Sequence, residues 1–145
     1  MENLEEKLQR QYCASAYTID FENKKVLLMY NRKLNKWLQP GGHIEGKELP
    51  EDTAIRETFE ETGIKIKIIG NSFKQRKYEP IAVERYINKV GDMIDIQYVA
   101  IPETYELKND ENNNVVWMDF EDFYKSENVD DEIKTKVKYA YEMYK

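Results

Sequence analysis

Three glutamates, Glu57, Glu60 and Glu61, stand at i, i+3 and i+4 along a stretch that reads as helix. On a helical wheel of about 100° per residue their carboxylates share one face and repel, by only ~0.2–0.5 kcal/mol for each exposed pair. Alone, such a triplet is as compatible with a solvated acidic face as with a metal site. Its neighbours shift the balance. The helix follows Gln39-Pro40-Gly41-Gly42-His43, a glycine loop, and then Glu48, a further carboxylate within reach. Oxygen donors in this number suit a hard divalent cation. The single cysteine, Cys13, and the single histidine, His43, exclude a Cys/His zinc cluster and a Cys-His nucleophilic pair.

These groups must be carried by well-ended elements. Pro50 suits a first helical turn and Gly63 a left-handed stop, so the helix spans Pro50 to Thr62, with Ile55, Phe59 and Thr62 as its expected inward stripe and Thr58 at the margin. A second helix is expected over Asp130 to Tyr144, where Ile133, Val137, Ala140, Tyr141 and Tyr144 recur at three- and four-residue steps. Ala14–Ile19 and Lys25–Tyr30 read as a strand hairpin. Further strands are expected at 64–68, Ala82–Ile87, Ile94–Ile101 and Val115–Met118, with a Gly91-Asp92 turn between the two long ones. Helices among mixed strands imply an α/β (α+β) architecture, a mixed β-sheet covered by helices.

The 145 residues carry 41% hydrophobic and 34% charged side chains, which describes one globular domain over residues 1–145. No apolar run approaches the ~20 residues of a membrane span, and the charged amino terminus lacks a signal core, so a cytoplasmic location with no membrane partner is expected. The formal net charge of -6 argues against an extended nucleic-acid surface. Between Gly42 and Ile64 there are seven acidic and two basic residues, so five of the six net negative charges belong to this one segment.

Read from Gly42, the segment has the form G, five residues, E, seven residues, R-E-hydrophobic-x-E-E-x-G-hydrophobic, through Glu48, Arg56, Glu57, Glu60, Glu61, Gly63 and Ile64. Seven identities at fixed spacing arise by chance at roughly one start position in 10⁸. The pattern resembles the Nudix box of the Nudix hydrolase (MutT-like) family, with one departure, Thr58 in place of an aliphatic residue. A Thr58 hydroxyl at the edge of the buried stripe is expected to bond back to the Ala54 carbonyl, leaving the acidic face untouched.

The resemblance implies the family's α/β/α sandwich and a Mg²⁺-dependent hydrolase, with Mn²⁺ as a substitute, that cleaves a phosphoanhydride by water attack. The substrate class it implies is a nucleoside di- or triphosphate, or a nucleoside diphosphate linked to another group. It further implies Glu57 and Glu61 as direct metal ligands, Glu60 when more than one ion binds, and the Gly41 carbonyl as a further oxygen. Arg56 and Glu48 pair to fix loop against helix. Glu57 is the in-motif candidate for general base; Glu103, Glu106 and Glu111 are downstream alternatives. His43, Arg76 and Tyr78 are candidate substrate contacts, the last two from the basic-aromatic cluster Lys74, Arg76, Lys77 and Tyr78, each weighed against an ordinary surface loop. Trp37, Tyr17, Tyr86 and Tyr98 lie on strands, as core or as cleft wall. A non-catalytic nucleotide-sensing module is the competing function, and both monomer and homodimer are compatible with the sequence.

Overall fold

A computed structural model of the chain describes residues 9–72, 78–87, 91–108 and 114–145. Strand β1 (Arg10–Asp20) organises the sheet because both its edges are used. It runs parallel to β7 (Asp92–Pro102) from Arg10↔Asp92 to Thr18↔Ala100. On its other edge, Cys13–Ser15 pair antiparallel with β4 (Gly41–His43), and Ile19 and Asp20 pair with β2 (Lys25–Asn31). β2 also receives β3 (Lys36–Leu38) and β8 (Val115–Asp119). β7 carries β6 (Ala82–Ile87) along its first half and β5 (Ile66–Ile69) along its last residues, completing an eight-stranded mixed sheet.

Alternation along β1 and β7 sends successive side chains to opposite faces, and each face has its own core. Ala14, Ala16, Tyr98 and Ala100 pack with Ile64, Ile66 and Ala54 under α1 (Pro50–Thr62). Tyr17, Ile19 and Val99 pack on the opposite side with Phe123 of α2 (Phe120–Lys125) and with Ile133, Val137 and Ala140 of α3 (Asp131–Tyr144). Burying each such aliphatic or aromatic side chain is worth ~1.5–3 kcal/mol, enough to clamp a helix to each face. The result is the expected α/β/α sandwich with a mixed sheet. No described helix is long and apolar enough to cross a membrane.

Most elements lie where the sequence places them. Two short ones, β4 and α2, are not legible in the sequence, and β3 is marked there only by Trp37. Asp92, expected in a turn, instead opens β7, where it is buried and takes forked hydrogen bonds from Arg10 and Arg85.

The inward stripe of α1 needs correction. Ile55 and Phe59 are 36% and 47% exposed, whereas Glu51, Ala54, Thr58 and Thr62 are buried. Centred on Thr58, the wheel puts Glu57 and Glu61 on one shoulder and Ile55 and Phe59 on the other, about 60–100° to either side. Turning Ile55 and Phe59 inward would swing the glutamates away from β4. The helix instead seats small residues against Ala14 and Ala16, which lets it approach the sheet closely. Thr58, fully buried and not marginal, keeps its hydroxyl without a hydrogen bond, so the expected bond to Ala54 is not made. The Thr62 hydroxyl does bond back, to the Thr58 carbonyl at 2.6 Å.

Candidate active site

The glycine loop is fastened to β1 at both ends: Ala16 N–H donates to the Pro40 carbonyl at 3.1 Å and Ile44 N–H to the Tyr12 carbonyl at 2.9 Å. This lays β4 beneath the glutamate shoulder of α1. The Gly41 N–H donates to Glu61 Oε1 at 3.2 Å. At Gly42 an added Cβ would stand 2.4 Å from the Glu57 carboxyl carbon, so only glycine leaves that carboxylate its place. The helix is stopped by Gly63 at φ +81°, where the N–H returns to the Phe59 carbonyl at 2.8 Å and Glu61 is held in the last turn.

Arg56 ties the parts together. Its Nε donates to Glu48 Oε2 at 2.7 Å and its Nη2 to Glu48 Oε1 at 2.9 Å, a forked pair. Nη1 reaches Glu57 Oε1 at 2.8 Å and Glu60 Oε2 at 3.2 Å, while Nη2 also donates to the His43 carbonyl at 3.1 Å. Glu48 accepts two more hydrogen bonds, from Glu45 N–H and the Thr53 hydroxyl, both at 3.0 Å. These contacts, the Arg56 fork foremost, hold the Glu48 carboxyl down at about 2. Thr53 escaped the sequence reading because a threonine in a first helical turn has no signature of its own.

Glu61 behaves in the opposite way. Its carboxyl is pushed up to about 7, first by burial and next by the Glu57 carboxylate beside it, with the Gly41 N–H working against both. Two carboxylates in contact at a half-buried place need a shared proton or a shared cation. As placed, no three Asp, Glu, His or Cys side chains among the described residues converge closely enough to hold an ion by themselves. The Glu57–Glu61 pair nevertheless fits a divalent cation of the Mg²⁺ kind, which takes one or two carboxylates and fills its shell with water and phosphate. Glu60, with its side chain 56% exposed, stands at the outer margin of this pair.

The remaining candidates are dispersed. His43 is exposed on β4, its Nε2 2.6 Å from Gln11 Oε1. Tyr78 packs against the α1-side core and gives its N–H to the buried Glu51 at 2.9 Å. Lys74, Arg76, Lys77 and Glu111 lie outside the described residues. Tyr17 and Tyr98 are core, Trp37 is half-buried and Tyr86 is exposed. Glu106 lines an open groove of about 730 Å³ with Phe59, Glu60, Lys65 and Lys108, whereas Glu103 is exposed where its N–H joins the Lys65 carbonyl. Ser15, Asp95 and Gln97, buried polar groups inside apolar strand runs, were not singled out from sequence; that interruption of the runs was the available signal.

Comparisons with known proteins agree with this fold. The chain is 31% identical over 96 residues to a probable DHNTP pyrophosphohydrolase of Lactococcus lactis, covering 66% of this chain and 45% of that protein. It is 36% identical over 112 residues to the human nucleoside diphosphate-linked moiety X motif 6, covering 75% of this chain and 34% of that protein. The chain thus spans about half or less of the length of these relatives. A solved structure described as a hydrolase of the NUDIX family from Clostridium perfringens superposes with a TM-score of 0.79 at 25% identity, over 95% of this chain and 100% of that one. The family model for the NUDIX domain matches residues 9–139, and the chain belongs to that family.

Proposed function

We propose that this chain is a Mg²⁺-dependent pyrophosphohydrolase, with Mn²⁺ able to substitute, that cleaves the phosphoanhydride of a nucleoside di- or triphosphate or of a nucleoside diphosphate linked to another group. The observation that carries this is the meeting of Glu57 and Glu61 under the Gly41-Gly42 loop, locked by Arg56 to Glu48. A sensing module has no need to maintain a mutually repelling carboxylate pair. The names of the relatives, a DHNTP pyrophosphohydrolase and a nucleoside diphosphate-linked moiety protein, support the same substrate chemistry.

Glu57, Glu61 and the Gly41 carbonyl would hold the ion, with Glu60 available to a second. When bound, the ion supplies positive charge against the phosphates and acidifies a water. The chain's own residues do the rest. Arg56 and Glu48 fix the angle between loop and helix, so that carboxylates and loop carbonyl keep their spacing when an anionic substrate arrives. Glu57, 17% exposed at its side chain and paired with Arg56, is the in-motif residue assigned to take the proton of the attacking water. As that oxygen bonds to phosphorus, the bridging P–O bond breaks and the leaving phosphate departs with its electron pair. Of the two downstream alternatives within the described residues, Glu103 and Glu106, Glu106 shares a groove with Glu60 and is the proposed second candidate for the base. His43, beside the loop, and Arg76 and Tyr78 are the proposed substrate contacts.

Incubation with Mg²⁺ and a panel of nucleotides, nucleotide sugars, dinucleoside polyphosphates and capped RNA, assayed for phosphate or pyrophosphate, tests the proposal. Turnover of at least one member is expected. No turnover together with tight binding of one would overturn it in favour of a sensor.

A further inference from the structure

The last turn of α1 carries Glu60 and Glu61 and has no basic residue of its own. The carboxyl end of a helix is the negative end of its dipole, so two carboxylates there weaken the turn that holds them. The final carbonyls of a helix also lack partners within it. Gly63 N–H serves one of them, the Phe59 carbonyl. Lys108, from the connection between β7 and β8, serves two more: its backbone N–H donates to the Thr62 carbonyl at 2.7 Å and its Nζ to the Glu60 carbonyl at 3.2 Å. One residue, 46 positions beyond Thr62, thus supplies both the missing hydrogen bonds and the missing positive charge.

The clamp has a fixed footing. Glu103 N–H donates to the Lys65 carbonyl at 2.7 Å, Lys65 N–H to the Thr104 hydroxyl at 2.9 Å, and the Trp117 indole N–H to the Tyr105 carbonyl at 3.0 Å. Leu107 packs against the α1-side core. The segment is therefore tied to the sheet before it reaches the helix. Its approach is close: a Cβ at Gly63 would stand 2.9 Å from the Lys108 backbone nitrogen, so the glycine that stops α1 also makes room for the clamp.

We propose that Lys108 is a positioning residue for the Glu57–Glu61 cation site and acts through the last turn of α1. This rests on the reading of that pair as the place of the divalent ion. Glu57, one turn earlier, is held by Arg56 Nη1 at 2.8 Å. Glu61 lies in the turn that Lys108 closes, and the Gly41 N–H at 3.2 Å draws it toward the loop. When that turn frays, Glu61 loses its angle to Glu57 and the two carboxylates cease to converge. Arg56 thus fixes the site from the loop and Lys108 fixes it from the helix end. Lys108 approaches at Gly63, about 160° around the helix from Glu61, so its ammonium is not placed as a partner of that carboxylate. Charge and clamp have opposite signs here: a lost positive charge favours a bound cation, whereas a loosened turn disfavours it.

The test is Mn²⁺ binding to the full chain without substrate, read from the electron paramagnetic resonance signal of the free ion. Lys108→Met keeps the backbone hydrogen bond and loses the ammonium; it is expected to weaken Mn²⁺ by about threefold to tenfold. Lys108→Gln, with a neutral donor, should fall between, and Lys108→Arg should restore the affinity. Lys65→Met removes an equal charge from the same groove and no clamp, so Mn²⁺ should bind as before or slightly tighter. In hydrolysis, Lys108→Met should raise the Mg²⁺ concentration for half-maximal rate while kcat at saturating Mg²⁺ is retained. Unchanged or tighter Mn²⁺ binding by Lys108→Met and Lys108→Gln, with only the melting temperature lowered, would overturn the proposal alone. Equal weakening by Lys65→Met, or an arginine variant as weak as the methionine one, would do the same. No Mn²⁺ binding by the unaltered chain would overturn the cation-site reading together with this one.

Discussion

Arg56 grips both carboxylate oxygens of Glu48, Nε to Oε2 at 2.7 Å and Nη2 to Oε1 at 2.9 Å, across a sequence separation of eight that joins loop to helix. A lysine delivers one point charge there, not a planar fork. Arg56→Lys is therefore expected to lower turnover by about tenfold or more while the chain stays folded. In a double-mutant cycle the Arg56–Glu48 pair, 25% and 22% exposed, should show a coupling of about 1 kcal/mol, read from chemical denaturation. Zero coupling would remove Arg56 as the tie.

Glu57→Gln and Glu61→Gln test the ligand pair. Outer partners of a metal ligand are already worth ~10–100-fold, so loss of a direct ligand should cost at least about a hundredfold in turnover, with Mg²⁺ affinity reduced in parallel. Circular dichroism should report an unchanged fold. Near-native hydrolysis by both variants would sink the assignment.

Glu61 gives the metal-free protein a characteristic pH response. Its carboxyl stands at about 7 in the folded chain against an ordinary 4.5, so the folded state binds its proton more tightly than the unfolded state. That contribution is complete below the unfolded value and is lost as pH climbs through about 7. Without divalent metal, the melting temperature should fall between roughly pH 5 and 8 on this account. Glu61→Gln should flatten that slope, and so should excess Mg²⁺, which favours the ionised pair. A slope that survives both points to another group.

Gly42→Ala separates activity from stability. The new Cβ would meet the movable end of Glu57 at 2.4 Å, so the side chain yields and the backbone does not. Melting should shift by no more than a few degrees while turnover falls with the displaced carboxylate. A full loss of folding would place the strain in the strand instead.

Thr58→Val should stabilise the protein. The hydroxyl is fully buried without a hydrogen bond, and removing an unsatisfied buried donor recovers ~1–3 kcal/mol less the repacking cost, a gain of about 1 kcal/mol by thermal or chemical melting. A loss of stability would show that the hydroxyl has a partner in solution.

Local chemistry explains what could be read before any fold was known. Pro50 and Gly63 bound α1 because each acts on its own backbone, and the Gly42 to Ile64 spacing names the carboxylates because helical geometry is set within a few residues. β-Branched and aromatic runs flanking polar turns likewise mark the long strands, and period-two alternation marks the short one near 64–68. β4 and the bounds of β3 escaped because three residues carry no period; β4 exists as a strand only because Tyr12 and Ala16 of β1 hold its ends.

The rotation of α1 was beyond the linear sequence. Apolarity ranks Ile55 and Phe59 above Ala54, Thr58 and Thr62, yet the helix buries the small residues, because close approach to Ala14 and Ala16 is what carries Glu57 and Glu61 to the glycine loop. Asp95, Ser15 and Gln39 are far apart in the chain; the parallel pairing of β1 with β7 brings Asp95 to Ser15, and the pairing of β1 with the Pro40–Gly41 segment brings Gln39. Residue types and spacings select the chemistry, since they act over a single helical turn; which groups that chemistry meets depends on long-range strand register and on which helix shoulder the core leaves free, and neither is encoded in any one segment.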